Sequence, residues 1–292
     1  MNRTVAIGYD GSPDAEEALR WGLAFADRHR VSVRIVQAFD PSQHTLRLVG
    51  GGGADAAERL YEHAQQQMKE VRDRSKDDHP HLQISTALEP ALPDDLLIDE
   101  SRTAEVVVIG SRGQSRMSTL LAGSTSLSVA ARAHCTVVAV RRTPHQQTAP
   151  HGVVVGTDGS PVAEAAIGFA FQQAAELCAP LTVVHAWTDP MTVSLLGSTI
   201  PMYDPDDFPR EQHALLVESL AGWADKFPEV ELCVRITRGH PVNTLAEASA
   251  GSELLVVGCH GHSVLRGMVL GSASQGLLHR ALVPVAVVHL QD

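Results

Sequence analysis

Two carboxylates and two glycine loops are the residues of this chain best placed to do chemistry, and each occurs twice. Gly110, two residues, Gly113, nine residues and Gly123-Ser124 recur as Gly258, two residues, Gly261, nine residues and Gly271-Ser272, 148 positions later. Each loop follows an apolar run, Glu105 to Ile109 or Glu253 to Val257, which reads as a buried strand. A glycine-bearing turn that leaves a strand and meets a helix gathers backbone N–H groups at a positive helix end, the physical requirement of a phosphate site. Asp10 and Asp158 belong to a second repeated element, VAIGYDGSP from Val5 and VVVGTDGSP from Val153, again 148 positions apart. At the end of a strand, each carboxylate can accept hydrogen bonds from ribose hydroxyls. Gly113 and Gly261 would allow close backbone approach to phosphate, and Gly123-Ser124 and Gly271-Ser272 would supply amides and a hydroxyl. The plainer readings stay open beside this one: turn glycines, and aspartates that cap the following helix. Ser12 and Ser160 read as helix caps rather than nucleophiles.

The elements that must position these residues repeat at the same spacing, so the halves form a tandem duplication. Strand and helix signals alternate in each half, which predicts a parallel sheet with helices on both faces. Strand one spans about Thr4 to Tyr9, followed by a helix from Ser12-Pro13 whose Asp14, Glu16 and Glu17 suit its positive end. Its apolar positions Ala15, Ala18, Leu19, Gly22, Leu23 and Ala26 follow a helical period, as do Ala163, Ala166, Ile167, Ala170, Phe171 and Ala174. Strand two is Val31 to Phe39 and Leu181 to Trp187. Variable segments follow, Gly50 to Gly53 and Pro190 to Pro209, expected to be flaps near the strand ends. Charged helices are expected at Ala54 to Lys76 and Arg210 to Lys226, strand three at Leu82 to Ala87 and Glu231 to Thr237, and helix three at Pro93 to Ser101 and Pro241 to Ala250. Strand four, the glycine loop and a helix from Gly123 or Gly271 lead to a last apolar strand, Val137 to Val140 or Val285 to Val288. Domains at 1–142 and 153–292, joined by a linker at 143–152, follow from the repeat.

Composition bounds the partners. With 292 residues, 44% of them hydrophobic and 20% charged, the chain has material for two cores and no disorder signature over a whole domain. A net charge of −11 repels nucleic acid and anionic membranes, so phosphate binding must rest on local donors. The four cysteines form no CxxC pair, and no apolar run approaches the ~18 residues of a membrane span. The N-terminus passes directly into a strand pattern without a signal peptide, and the expected location is cytoplasmic.

The two loops differ in their cations. The first carries Arg112 and Arg116, and the second carries His260, His262 and Arg266. Arg is always charged and forks onto phosphate oxygens, whereas His is mostly neutral near pH 7, so the sites are expected to differ in affinity. Cys259-His260-Gly261-His262 superficially suggests a metal cluster. Adjacent loop residues rarely make a tetrahedral set, and Ser111, Arg112 and Gln114 of the first loop are not soft ligands, so no metal site and no catalytic residue is assigned.

On these motifs the chain resembles the universal stress proteins of the tandem type, with two such domains over nearly its whole length. The openings VAIGYDGSP and VVVGTDGSP, the paired Gly-x2-Gly-x9-Gly-Ser loops and the closing VVAV and VAVV strands carry the resemblance. It implies an α/β fold class with two tandem doubly wound, Rossmann-like domains related by a pseudo-two-fold axis, each a five-stranded parallel sheet. It also implies ATP as cofactor, leaving open whether Mg2+ accompanies it. Asp10 and Asp158 would then lie at the adenosine with the main chain of Ala38 and Ala186. Gly110, Arg112, Gly113, Gly123, Ser124 and Thr125 would line the first phosphate site. Gly258, His260, Gly261, Gly271, Ser272 and Ala273 would line the second, where Ala273 replaces the hydroxyl of Thr125. Ala91 stands where the second half has Gly239. The family further implies pairing through the last strand, here as an internal pseudo-dimer with a homodimer of whole chains left open. The expected function is an ATP-binding regulator of stress response or growth arrest acting on a protein partner that the sequence does not name. A slow ATPase or adenylyl-transferring enzyme is the first alternative, and a nucleotide-free interaction module the second. No dedicated general base stands near the phosphate loops, so any hydrolysis is expected to be slow.

Overall fold

The structure is a computed structural model that describes residues 3–39, 53–113, 122–142, 152–188, 207–261 and 270–290. Arg116, His262, Arg266, the glycines 50–52, most of the segment 190–209 and residues 143–151 of the expected linker lie outside the described residues. Contacts divide the chain into two compact units, Met1–Arg142 and Thr143–Leu290.

The first unit orders its strands β3-β2-β1-β4-β5, all parallel. They span β1 Thr4–Gly8, β2 Ser32–Ala38, β3 Ile84–Glu89, β4 Val106–Gly110 and β5 Thr136–Val140. The helices are α1 Pro13–His29, α2 Gly53–Asp78, α3 Pro93–Glu100 and α4 Ser124–Arg132. The second unit repeats the order as β8-β7-β6-β9-β10. Its strands are β6 Val153–Gly156, β7 Leu181–Trp187, β8 Leu232–Arg238, β9 Leu254–Gly258 and β10 Val285–Val288. Its helices are α5 Pro161–Leu177, α6 Asp207–Lys226, α7 Pro241–Ala248 and α8 Ser272–Arg280.

Why these segments form a doubly wound sheet follows from their side chains. β1, β4 and β5 are runs of Val, Ile and Ala with almost no exposure, as strands covered on both faces require. Consecutive strand residues point to opposite faces. A side-chain carbon placed on Gly22 of α1 would fall 2.6 Å from Ile7, and one on Gly8 would fall 3.1 Å from Leu97 of α3. Helices α1 and α3 therefore cover opposite faces of β1.

The helix starts obey the capping rules expected of DGSP. Ser12 Oγ accepts from Ala15 N at 3.2 Å and Ser160 Oγ from Ala163 N at 3.2 Å, each with Pro at the next position. Both serines are caps. The expected helical stripes of α1 and α5 are buried.

Of the boundaries that differ from expectation, two have evident local reasons. Strand three begins at Ile84 rather than Leu82, because Leu82 N is used in a turn to His79 O. The second charged helix begins at Asp207, three residues before Arg210, so Pro209 lies in its first turn. Proline is tolerated there because the first-turn N–H groups have no intrahelical acceptor.

The long helices dock by different chemistry in the two units. In the first, the buried Tyr9 hydroxyl donates to Glu16, which also pairs with Arg74 of α2 at 2.9 Å. Burial and the neighbouring Glu16 push the Tyr9 phenol pKa up, so it stays a neutral donor. In the second, Phe171 of α5 stacks with Trp223 and Phe227 at centroid distances of 6.2 and 5.9 Å, and Trp223 covers Gly168. Phe171 is fully buried, so Phe171→Ala is expected to cost about 3–5 kcal/mol through lost burial and a cavity. Urea unfolding followed by tryptophan fluorescence checks this.

Candidate functional site

β1 is hydrogen-bonded to β2 on one side and β4 on the other, so the chain order reverses at β1 and a crevice opens past its carboxyl end. One cleft there is lined by all eight residues expected of the first site: Asp10, Ala38, Gly110, Arg112, Gly113, Gly123, Ser124 and Thr125. They come from the ends of β1, β2 and β4, from the glycine loop and from the start of α4. Residues more than 100 positions apart in sequence thus share one wall.

Each glycine of the loop has its own reason. A side-chain carbon on Gly110 would meet Ala15 N at 2.9 Å, so this glycine lets β4 pass the start of α1. One on Gly113 would fall 2.9 Å from Asp10 Oδ2, so this glycine lets the loop return against the carboxylate. At Gly123 the nearest protein atom would be 3.6 Å away, ordinary contact distance. Among the described residues, packing does not require glycine at position 123.

Asp10 serves the turn and the cleft at once. Its Oδ1 accepts from Ser12 N at 2.9 Å, while Oδ2 faces the loop at Gly113. Ser12 Oγ in turn donates to Arg112 O at 3.3 Å, tying the loop to the start of α1. Arg112 lines the cleft, and its buried Nε has no hydrogen-bond partner among the described residues. A buried guanidinium N–H without an acceptor is costly, and an anion in the cleft would supply that acceptor. The α4 N-terminus adds to this field: Gly123 makes no side-chain cap, so the first-turn amides face the loop.

Three features escape the motif. Ser126 Oγ donates to Gly110 O at 3.0 Å and Ser111 O at 3.3 Å, closing the loop from below, and Ser274 Oγ does the same to Gly258 O at 2.6 Å. The repeat spacing could have found this pair, because serine stands at both positions. Val36, Pro93, Leu96, Leu97 and Ile109 form an apolar part of the cleft lining together with Ala38. The third is Asp14, expected to serve only the helix end. It is 8% exposed and accepts from the Ser111 hydroxyl at 3.0 Å and Arg142 N at 3.2 Å.

The second unit repeats the frame with other side chains. Asp158 Oδ1 accepts from Ser160 N at 3.0 Å, and a carbon on Gly261 would fall 2.2 Å from Asp158 Oδ2. Gly258 passes Val162 of α5, and Gly271 N donates to Cys259 O at 2.8 Å. Ser272 and Ala273 open α8, His260 projects from the loop, and Ala186 lies near the end of β7 opposite Thr237. Thr244 stands at the position equivalent to Leu96, and His185 Nδ1 donates to Thr157 O at 2.9 Å. Cys259 Sγ lies 2.9 Å from His260 Nδ1. No group of three or more His, Cys, Asp or Glu among the described residues is arranged to hold a metal ion, and no helix among them is long and apolar enough to cross a membrane.

Fold and site together define a class: a tandem of doubly wound α/β units, each with a glycine loop over its switch point. Comparison with known proteins gives the family. The model of the universal stress protein family matches residues 1–141 and again 151–289, and this chain belongs to that family. It is 33% identical over 293 residues to a universal stress protein of Mycobacterium tuberculosis, covering 97% of this chain and 96% of that one. A universal stress protein of Mycolicibacterium smegmatis is 32% identical over 291 residues, at 97% and 96% coverage. A crystal structure of a universal stress protein from Archaeoglobus fulgidus superposes with a TM-score of 0.71 at 19% identity, over 100% of this chain and 98% of that one, a likeness of fold.

The loop cysteine has a defined reactivity. Burial pushes the Cys259 thiol up to about 11 and the Cys135 thiol up to about 12. At pH 8 their thiolate fractions are then on the order of 10⁻³ and 10⁻⁴. Cys178 and Cys233 are exposed. Alkylation with iodoacetamide at pH 8, followed by peptide mass spectrometry, is expected to label Cys178 and Cys233 and spare the other two until the chain unfolds.

Proposed function

We propose that this chain is an ATP-binding universal stress protein, a regulator in which nucleotide occupancy changes conformation or partner choice. The single observation that carries the reading is the Nε of Arg112, a buried cationic donor on a cleft-lining residue that finds no acceptor among the described residues. Gly123 supports it at the start of α4, where a side-chain carbon would crowd none of the described residues and glycine keeps room for a ligand.

The parts divide by chemistry. The apolar wall of Val36, Leu96 and Leu97 takes the base, with the main chain of Ala38 at its edge. The outer oxygen of Asp10 takes the ribose hydroxyls. Arg112 and the amides from Gly123 to Thr125 take the phosphates, with the hydroxyls of Ser124 and Thr125 beside them. Asp158, Ala186, Gly258, His260, Gly261, Gly271, Ser272 and Ala273 fill the same places in the second unit, with fewer charged donors.

If ATP binds only the folded protein, a concentration about 100-fold over Kd stabilises it by about 2.7 kcal/mol. The expected result is a rise in thermal midpoint with ATP, together with adenine nucleotide retained through purification in native mass spectra. Asp10→Ala and Gly123→Val are each expected to weaken ATP binding at the first site at least tenfold, with an unchanged circular dichroism spectrum. No bound nucleotide and no midpoint shift at millimolar ATP would sink the proposal.

A further inference from the structure

The polar support behind the two glycine loops differs in kind. In the first unit, Ser111 Oγ donates to Asp14 Oδ2 at 3.0 Å, and Arg141 Nε donates to Ser111 Oγ at 3.3 Å. Asp14 belongs to α1, Ser111 to the loop root, and Arg141 to the residue after β5, so three elements meet behind the loop. Ser111 N also donates to Val140 O at 2.7 Å, which holds the loop root against the strand that delivers Arg141. Burial first, then the positive charge of Arg112, lower the Arg141 pKa, while Asp14 opposes both.

At the equivalent positions, 148 residues on, the second unit has Val162 for Asp14, Cys259 for Ser111, His260 for Arg112 and His289 for Arg141. Every fixed charge of the group is replaced. Asp10 and Asp158 are common to both sites and cancel in the comparison. What remains is two guanidiniums and one carboxylate at these positions of the first unit, against imidazoles and a thiol at those of the second.

We infer that Arg141 is a positioning and charge-selecting residue: with Arg112 it makes the first loop a site for nucleotide di- and triphosphates, whereas the second loop discriminates weakly by phosphate number. This rests on the nucleotide reading above and adds the ligand charge class of each site. The physical reason is that each additional phosphate brings negative charge toward a group in which two guanidiniums stand with one carboxylate, where the equivalent positions of the second unit hold no fixed charge. In partly buried surroundings such a charge acts through an effective dielectric nearer ~20 than the ~80 of water. Arg141 acts through Ser111, which it orients, and through its field on the loop. A purely bracing role for Arg141 behind Ser111 would support AMP and ATP binding equally.

The test uses the full chain and isothermal titration with ATP, ADP and AMP. Gly271→Val leaves the first site to be read, and Gly123→Val leaves the second. The expected ratio of ATP to AMP affinity is at least tenfold larger at the first site than at the second. Adding Arg141→Gln to the Gly271→Val chain is expected to bring the first ratio down to that of the second, with AMP affinity changed less than twofold. Arg141→Lys, which keeps the charge, is expected to preserve the ratio. Equal ratios at the two sites overturn the inference, and this comparison holds even if the Arg141 variants fail to fold. Equal weakening of ATP and AMP by Arg141→Gln overturns it as well. Neither result touches the nucleotide reading, which fails only if no adenine nucleotide binds at either site.

Discussion

The rest of the structure depends on β1 being paired on both sides. Because β2 and β4 both hydrogen-bond to it, the chain must leave β1 for one face and return to the sheet on β1's other flank, and the crossovers diverge at that point. The divergence leaves the carboxyl end of β1 uncovered. Asp10 follows β1, Ala38 ends β2 and Gly110 ends β4, so three separate segments are delivered to one crevice by the ladder alone. The second unit has the same pairing around β6, and Asp158, Ala186 and Gly258 follow in the same way.

Within that frame the loop glycines differ in the contacts they relieve among the described residues. Gly110 and Gly113 relieve close approaches to the start of α1 and to Asp10. They bring the loop down onto the sheet, where Ser126 fastens it by two hydrogen bonds to main-chain carbonyls. Gly123 relieves no such contact among the described residues. The Arg112 Nε likewise finds no acceptor among them.

Duplication preserved the backbone of the site more strictly than its side chains. The DGSP turn, the serine caps, the loop glycines and the Ser126 and Ser274 fasteners recur at one spacing. The surroundings do not. α2 docks through Tyr9, Glu16 and Arg74, whereas α6 docks through stacked aromatic rings around Phe171. The loop supports diverge further, from Asp14, Ser111 and Arg141 to Val162, Cys259 and His289. A shared scaffold with different charge beneath it is what two non-equivalent sites require.

Much was legible in the sequence because periodicity and spacing are local signals. Alternating apolar runs and amphipathic stripes identified the strands and helices, and the repeated spacing identified which glycines and aspartates belonged together. Boundaries at Ile84 and Asp207 were less legible, since a turn hydrogen bond and a tolerated first-turn proline decide them. What sequence alone determined was the backbone frame: a doubly wound sheet in each half, DGSP caps and a glycine loop. Only tertiary structure decided what stands behind that frame. Asp14 and Arg141 are 127 positions apart, with no motif to join them, and they meet at Ser111 because β5 pairs with β4 beside the start of α1. Spacing along a chain reports neighbours on one element, whereas burial, an orphaned donor and the charge beneath a loop depend on which elements the sheet brings side by side.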